Sequence, residues 1–150
     1  MNFENKNVLV YGTGISGISA VSLLESVQAR VTLYDENTKL TKEQVKAKLS
    51  EDSKAKIVLG VLSEELINTL DMVVLSPGVP TDIPVVEGFK KRGIPVWGEI
   101  ELAYRLSKGR VVAITGTNGK TTTTTLVGKL MKNYFDSVFV VGNIGNPYTE

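Results

Sequence analysis

The stretch NVLVYGTGISGISAVSLLES, residues 7–26, decides the fold. Asn7–Tyr11 is an apolar run that reads as a buried strand, and Ile15–Val27 carries apolar residues at helical spacing through Ile18, Val21 and Leu24. Between them, Gly12-Thr13-Gly14-Ile15-Ser16-Gly17 fits G-x-G-x-x-G in the strand–loop–helix context that the motif requires. Glycine lets the backbone turn tightly and approach a diphosphate closely. The N–H groups of the first helical turn then face that anion. Asp35 follows the next apolar strand, Arg30–Tyr34, where a carboxylate can accept hydrogen bonds from a ribose or a base. The loop alone leaves three readings open: a nicotinamide dinucleotide, another nucleotide, or a tight turn with no ligand.

Further along, the same alternation of short apolar runs and amphipathic stretches continues. A helix is expected near Thr41–Leu49, with capping-box spacing between Thr41 and Gln44. Strands are expected at Lys56–Leu59, Met72–Leu75 and Pro95–Trp97, and helices at Glu64–Leu70 and Val85–Lys91. Short apolar strands separated by helices predict an α/β fold, a Rossmann-like parallel sheet with helices on both faces. Ser76-Pro77-Gly78-Val79-Pro80 follows the fourth strand. Its prolines stiffen a loop at the carboxyl end of the sheet, where ligands of such sheets bind, although a rigid surface turn fits equally well.

A second unit starts after the helix Glu99–Ser107, which Lys108-Gly109 breaks. A strand Arg110–Thr115, a glycine loop, a helix Lys120–Asn133 and a strand Ser137–Val141 make one βαβ unit, the opening of an incomplete P-loop ATPase domain. The expected division is residues 1–108 and 109–150, with the second domain begun and not finished. Gly119-Lys120-Thr121 matches the end of G-x-x-x-x-G-K-[ST], but Ile114 stands where the first glycine falls, and Gly116 supplies the flexibility instead. Backbone N–H groups of residues 117–121 can form a nest for phosphates. Lys120 can reach the β- and γ-phosphates, and the Thr121 hydroxyl can ligate Mg²⁺. Five consecutive threonines, 121–125, are a poor choice for helix stability alone. Gly142-Asn143-Ile144-Gly145 ends the last strand, with Asn143 either a ligand contact or a turn former.

Composition narrows the chemistry. The 150 residues contain no Cys and no His, which removes disulfides, thiol nucleophiles and imidazole bases from this stretch of chain. Carboxylates, lysines, hydroxyls and backbone N–H groups remain, a set suited to phosphate and Mg²⁺. Seventeen Lys+Arg against 16 Asp+Glu give a net charge of +1, so neither nucleic acid nor an anionic membrane is an expected partner. No apolar run approaches the roughly 20 residues of a membrane span. The polar start Met1–Asn7 does not read as a signal peptide, so a cytoplasmic protein is expected.

Taken in order, five signals resemble the ATP-dependent Mur ligases of peptidoglycan synthesis. They are Gly-Thr-Gly-Ile-Ser-Gly (12–17), Ser-Pro-Gly-Val-Pro (76–80), Gly-Glu-Ile-Glu-Leu (98–102), Ile-Thr-Gly-Thr-Asn-Gly-Lys-Thr-Thr (114–122) and Gly-Asn-Ile-Gly (142–145). The second and third point to the branch that adds D-glutamate to UDP-N-acetylmuramoyl-L-alanine. The resemblance implies that the first domain binds the UDP part of the sugar substrate and that no NAD is expected to bind. Gly14, Ile15, Ser16 and Gly17 would hold the diphosphate, with Asp35 and Glu36 at the uracil. Family members often carry Thr and Arg after the aspartate, where this chain has Glu36 and Asn37. Ser76, Pro77, Gly78 and Asn143 would line the substrate groove. Gly116, Thr117, Asn118, Gly119, Lys120, Thr121 and Thr122 would hold ATP, with Lys120 catalytic and Thr121 on Mg²⁺. The family's further Mg²⁺ ligands, a histidine and a carbamylated lysine, match nothing here. The chain alone is therefore expected to bind substrate without turnover, and segment 109–150 is expected to offer a route to self-association. A nicotinamide-dependent oxidoreductase or sensor module, or a non-catalytic nucleotide-binding module, would account for the first loop alone.

Overall fold

The computed structural model describes residues 2–142 and 146–150. Five parallel strands form one sheet: β1 (Asn7–Tyr11), β2 (Arg30–Asp35), β3 (Lys56–Leu59), β4 (Met72–Leu75) and β5 (Val96–Gly98). Their spatial order is β3-β2-β1-β4-β5, so the chain winds outward from β1 to one edge and then to the other. The reversal falls between β1 and β4, and a crevice at the carboxyl ends opens there in such sheets. Val8 pairs with Val31 on one side and with Met72 on the other, which makes β1 the centre of the hydrogen-bonded network.

Alternation along the strands builds two cores. Val8, Val10, Val31, Leu33, Met72 and Val74 face one side, where Ala20, Val21 and Leu24 of α1 (Ile15–Ser26), Val45 of α2 (Lys42–Lys46) and Leu102 of α5 (Glu99–Leu106) cover them. Leu9, Tyr11, Tyr34, Val73 and Leu75 face the other, under Ile67 of α3 (Glu64–Asn68) and Val86 and Phe89 of α4 (Pro84–Lys91). Each fully buried Leu, Val or Phe contributes about 1.5–3 kcal/mol relative to exposure, so the double-sided burial of short strands is what sustains the sheet. The capping box expected at Thr41 and Gln44 is present, with the Thr41 hydroxyl accepting from the Gln44 N–H at 3.3 Å and the Gln44 side chain accepting from the Thr41 N–H at 3.0 Å.

Residues 109–150 differ from expectation. Their helix α6 (Lys120–Met131) forms. The strands expected at Arg110–Thr115 and Ser137–Val141 do not; of the latter, only Val141 takes part in pairing, as an isolated bridge to Asn146. The physical reason is the absence of neighbours. A strand is stabilised by ladder partners and by a face to bury, and among the described residues these two segments have only the Val141–Asn146 bridge. None of the described residues in this segment joins either core, and Val112, Leu126 and Phe139 stay exposed. Among the described residues, no helix is long and apolar enough to cross a membrane.

Candidate functional site

The crevice at the sheet's switch point encloses about 480 Å³. It is lined by the loop 11–16, by Asp35 and Glu36 at the end of β2, and by Ser76–Pro80 with Ile83. Ten residues read from the sequence as substrate-binding separate as follows. Gly14, Ile15, Ser16, Asp35, Glu36, Ser76, Pro77 and Gly78 all line it. Gly17 does not, and Asn143 lies outside the described residues.

Close packing fixes the loop. A Cβ on Gly17 would lie 1.9 Å from the Gly12 carbonyl oxygen and 2.8 Å from the Ser76 hydroxyl. Gly17 is therefore the contact that lets α1 start directly against the end of β1. Ser76, buried at the end of β4, donates its hydroxyl to the Gly12 carbonyl at 3.3 Å. This serine clasps the glycine loop as well as facing the crevice. A Cβ on Gly14, by contrast, would meet nothing within 4 Å. The space in front of Gly14 is the room a ligand would use. Gly14 is the N-cap of α1, no side chain caps that helix, and its first turn carries no acidic residue. The helices α2 and α3 are instead capped by their own Thr41 and Ser63 hydroxyls. The N–H groups at the head of α1 thus face the crevice with the partial positive charge of a helix N-terminus, a ready anion site.

The carboxylate wall has its own order. Asp35 accepts from the Thr13 N–H at 3.1 Å, the Thr13 hydroxyl at 2.7 Å and the Asn37 N–H at 3.0 Å. Burial pushes its carboxyl up, but the bonds from Asn37 and Thr13, together with the Lys48 charge, outweigh that and hold it below the usual range. Glu36 accepts from the Tyr11 hydroxyl at 3.0 Å. Burial first, and the Glu36 bond second, push the Tyr11 phenol well above its ordinary value, so it stays a donor. Lys48 donates to the Thr13 carbonyl at 3.3 Å, bringing a cation to the back of the loop. Thr13, Tyr11 and Lys48 were missed from sequence. A threonine inside G-x-G and a tyrosine at the last strand position are the available signals for the first two, and nothing marks Lys48.

The second loop is built differently. Gly119 takes a left-handed conformation, φ +75°, and is the N-cap of α6, again without a side-chain cap. The Lys120 ammonium folds back onto the carbonyls of Gly116 and Thr117. The Thr125 hydroxyl donates to the Thr121 carbonyl at 2.8 Å, which gives one of the five threonines a local partner. Residues 115–123 are exposed. This donor set of backbone N–H groups, an ammonium and the Thr121 and Thr122 hydroxyls fits a triphosphate with its Mg²⁺. Among the described residues, no cluster of three or more acidic side chains offers a separate metal site.

Residues 6–98 match the family described as Mur ligase MurD-like, N-terminal domain. The chain belongs to the MurD-like Mur ligases. It is 58% identical over 149 residues to the UDP-N-acetylmuramoylalanine–D-glutamate ligase of Lachnospira eligens, covering 99% of this chain and 33% of that protein. It is 59% identical over 150 residues to the ligase of the same name from Lachnoclostridium phytofermentans, covering 100% and 33%. The chain thus spans about a third of the length of the curated relatives it matches. Among solved structures, a murein peptide ligase from Psychrobacter arcticus superposes with a TM-score of 0.57 at 23% identity, covering 85% of this chain and 26% of that one. A pseudomurein peptide ligase type C from Methanothermus fervidus gives 0.53 at 28% identity, covering 86% and 26%. The MurD-like assignment agrees with the parallel α/β sheet.

Proposed function

We propose that residues 1–108 form a UDP-sugar-binding domain and that residues 109–150 open the central ATP-binding domain of a D-glutamate-adding ligase of peptidoglycan precursor synthesis. The observation that carries this reading is the uncapped head of α1 with open space before Gly14, beside a carboxylate wall, in a chain of MurD-like sequence. The diphosphate of UDP-N-acetylmuramoyl-L-alanine accepts from the N–H groups at Ile15 and Ser16. Gly17 supports that turn from behind. Asp35 and Glu36 stand at the uridine end, and Ser76, Pro77 and Gly78 form the opposite wall, with Asn143 a further substrate contact.

The second loop, Gly116 to Thr122, takes ATP. Lys120, now on the loop carbonyls, would face the phosphates, and the Thr121 hydroxyl would hold Mg²⁺. The γ-phosphoryl would pass from ATP to the alanyl carboxylate, giving ADP and an acyl phosphate, and the amine of D-glutamate would displace phosphate from that carbonyl to form the amide. Lys120 offsets charge on the transferring phosphoryl, and the positive head of α6 adds to that field. The 150-residue chain binds the UDP moiety and does not turn over alone, because the histidine and lysine that complete the family's Mg²⁺ site have no counterpart here. The protein acts in the cytoplasm, where its nucleotide substrates are found. Exposed Val112, Leu126 and Phe139 make segment 109–150 its route to self-association, which sedimentation velocity reads directly.

Amide chemical shifts of the chain titrated with UDP-N-acetylmuramoyl-L-alanine test the pocket. Shifts centred on Gly14, Ile15 and Ser16 with a second group at Asp35 and Glu36 support it. Shifts confined to other parts of the sheet, or ADP release that depends on D-glutamate from this chain alone, overturn the reading.

A further inference from the structure

Glu99 is an ionisable side chain only 4% exposed, at the first position of α5 directly after β5, and the nucleotide crevice does not use it. Burying a carboxylate is costly unless hydrogen bonds replace its water. Its Oε1 accepts two bonds from one distant residue, the Thr149 N–H at 3.0 Å and the Thr149 hydroxyl at 2.9 Å. Thr149 is itself buried. Among the described residues, these are the only hydrogen bonds that join segment 110–150 to the chain before it. The N-cap of α5 is Gly98 with no side-chain cap, so Glu99 is not spent on capping its own helix.

We propose that Glu99 is a positioning residue that fixes the second phosphate loop relative to the first. The chain leaves α5 after Leu106, runs through the glycine loop and α6, and returns at Thr149 to the head of the same helix. Both ends of the excursion are thereby anchored on α5. In turn α5 packs through Leu102 into the core that holds α1, whose head is the diphosphate loop. A carboxylate suits this latch because it accepts the amide and the hydroxyl together, and charge-assisted bonds are the stronger kind. The inference rests on the proposed ligase reading, in which a phosphoryl group held by one loop must reach a substrate held by the other.

The absence of cysteine makes the test clean. Spin labels on Ser22→Cys in α1 and Lys129→Cys in α6, both exposed, report the distance distribution between the two units. With Glu99 intact the distribution is narrow. In Glu99→Ala it broadens by roughly twofold, as expected when a segment opens locally, while UDP affinity is unchanged. Glu99→Gln, which keeps one carbonyl acceptor, and Thr149→Val, which loses only the hydroxyl bond, fall between. Thr149 lies outside both cores, so that variant keeps the question answerable if Glu99→Ala unfolds. A distribution as narrow in Glu99→Ala and Thr149→Val as in the parent overturns the proposal. If the parent chain fails to bind UDP, the ligase reading falls, and the distance distribution still decides the latch.

Discussion

Two glycine loops in this molecule join the same kinds of parts and differ in what stands behind them. Gly12–Gly17 leaves β1, a strand paired on both sides, and enters a helix buried along one face. Gly116–Gly119 is preceded by an unpaired segment and enters α6, where Gly128 alone is buried. Both present an uncapped helix N-terminus and at least one glycine at positive φ, Gly12 in the first and Gly116 and Gly119 in the second. Among the described residues, only the first is clasped from outside the loop, by Ser76, Asp35 and Lys48. The second folds its own lysine onto its own carbonyls. Local sequence is enough to shape a glycine turn at a helix head, while the contacts that clasp the first loop from outside come from elements of the sheet.

That contrast is most severely tested by glycine replacement. Gly17→Val drives a Cβ against the Gly12 carbonyl and should destabilise the whole sheet by about 3 kcal/mol or more, read as a lowered urea midpoint. Gly119→Val strains a left-handed residue by about 1–2 kcal/mol, yet should leave the main midpoint where it was, because α6 adds nothing to either core. A shared, global loss would show that the two units fold as one. Next in size, Gly14→Val enters open space and keeps stability within about 0.5 kcal/mol. It should nonetheless weaken UDP binding at least tenfold, about 1.4 kcal/mol, in a calorimetric titration.

A smaller effect concerns Asp35. Its folded carboxyl lies below the usual 3.8, so its contribution is present above that value and is lost as pH falls through the lower, folded one. Asp35→Asn should cost about 1 kcal/mol at neutral pH, and the gap in urea midpoint between the two proteins should narrow below pH 4. A gap that widens on acidification would mean that the Thr13 bonds do not favour the charged form. Smallest of all, Lys120→Ala should change stability by less than about 0.5 kcal/mol, since its ammonium contacts only an exposed loop, and should leave UDP affinity untouched.

The five strands of the sheet were legible because each is an apolar run flanked by helical spacing, and Asn7–Tyr11, Lys56–Leu59 and Met72–Leu75 fall where they were read. The Thr41–Gln44 cap was legible because its signal is local. Residues 110–115 and 137–141 carry strand composition equally clearly, but pairing is a property of neighbours, and the described residues supply only the isolated Val141–Asn146 bridge. In the crevice, the glycine loop, Asp35 and the Ser76–Gly78 turn could be read as facing a ligand. That Ser76 and Thr13 also lock the loop could not, since both bonds join residues far apart in sequence. Glu99 lay inside a recognisable motif, yet its partner is 50 positions away.

The proposed cradle at the head of α1 would take the diphosphate of a uridine nucleotide, and its ligand separates the readings of the first loop. Calorimetric titration of the chain with UDP and, separately, with NADH tests it most directly. The cradle should bind UDP saturably and NADH at least tenfold more weakly, about 1.4 kcal/mol. NADH binding tenfold tighter than UDP would contradict it.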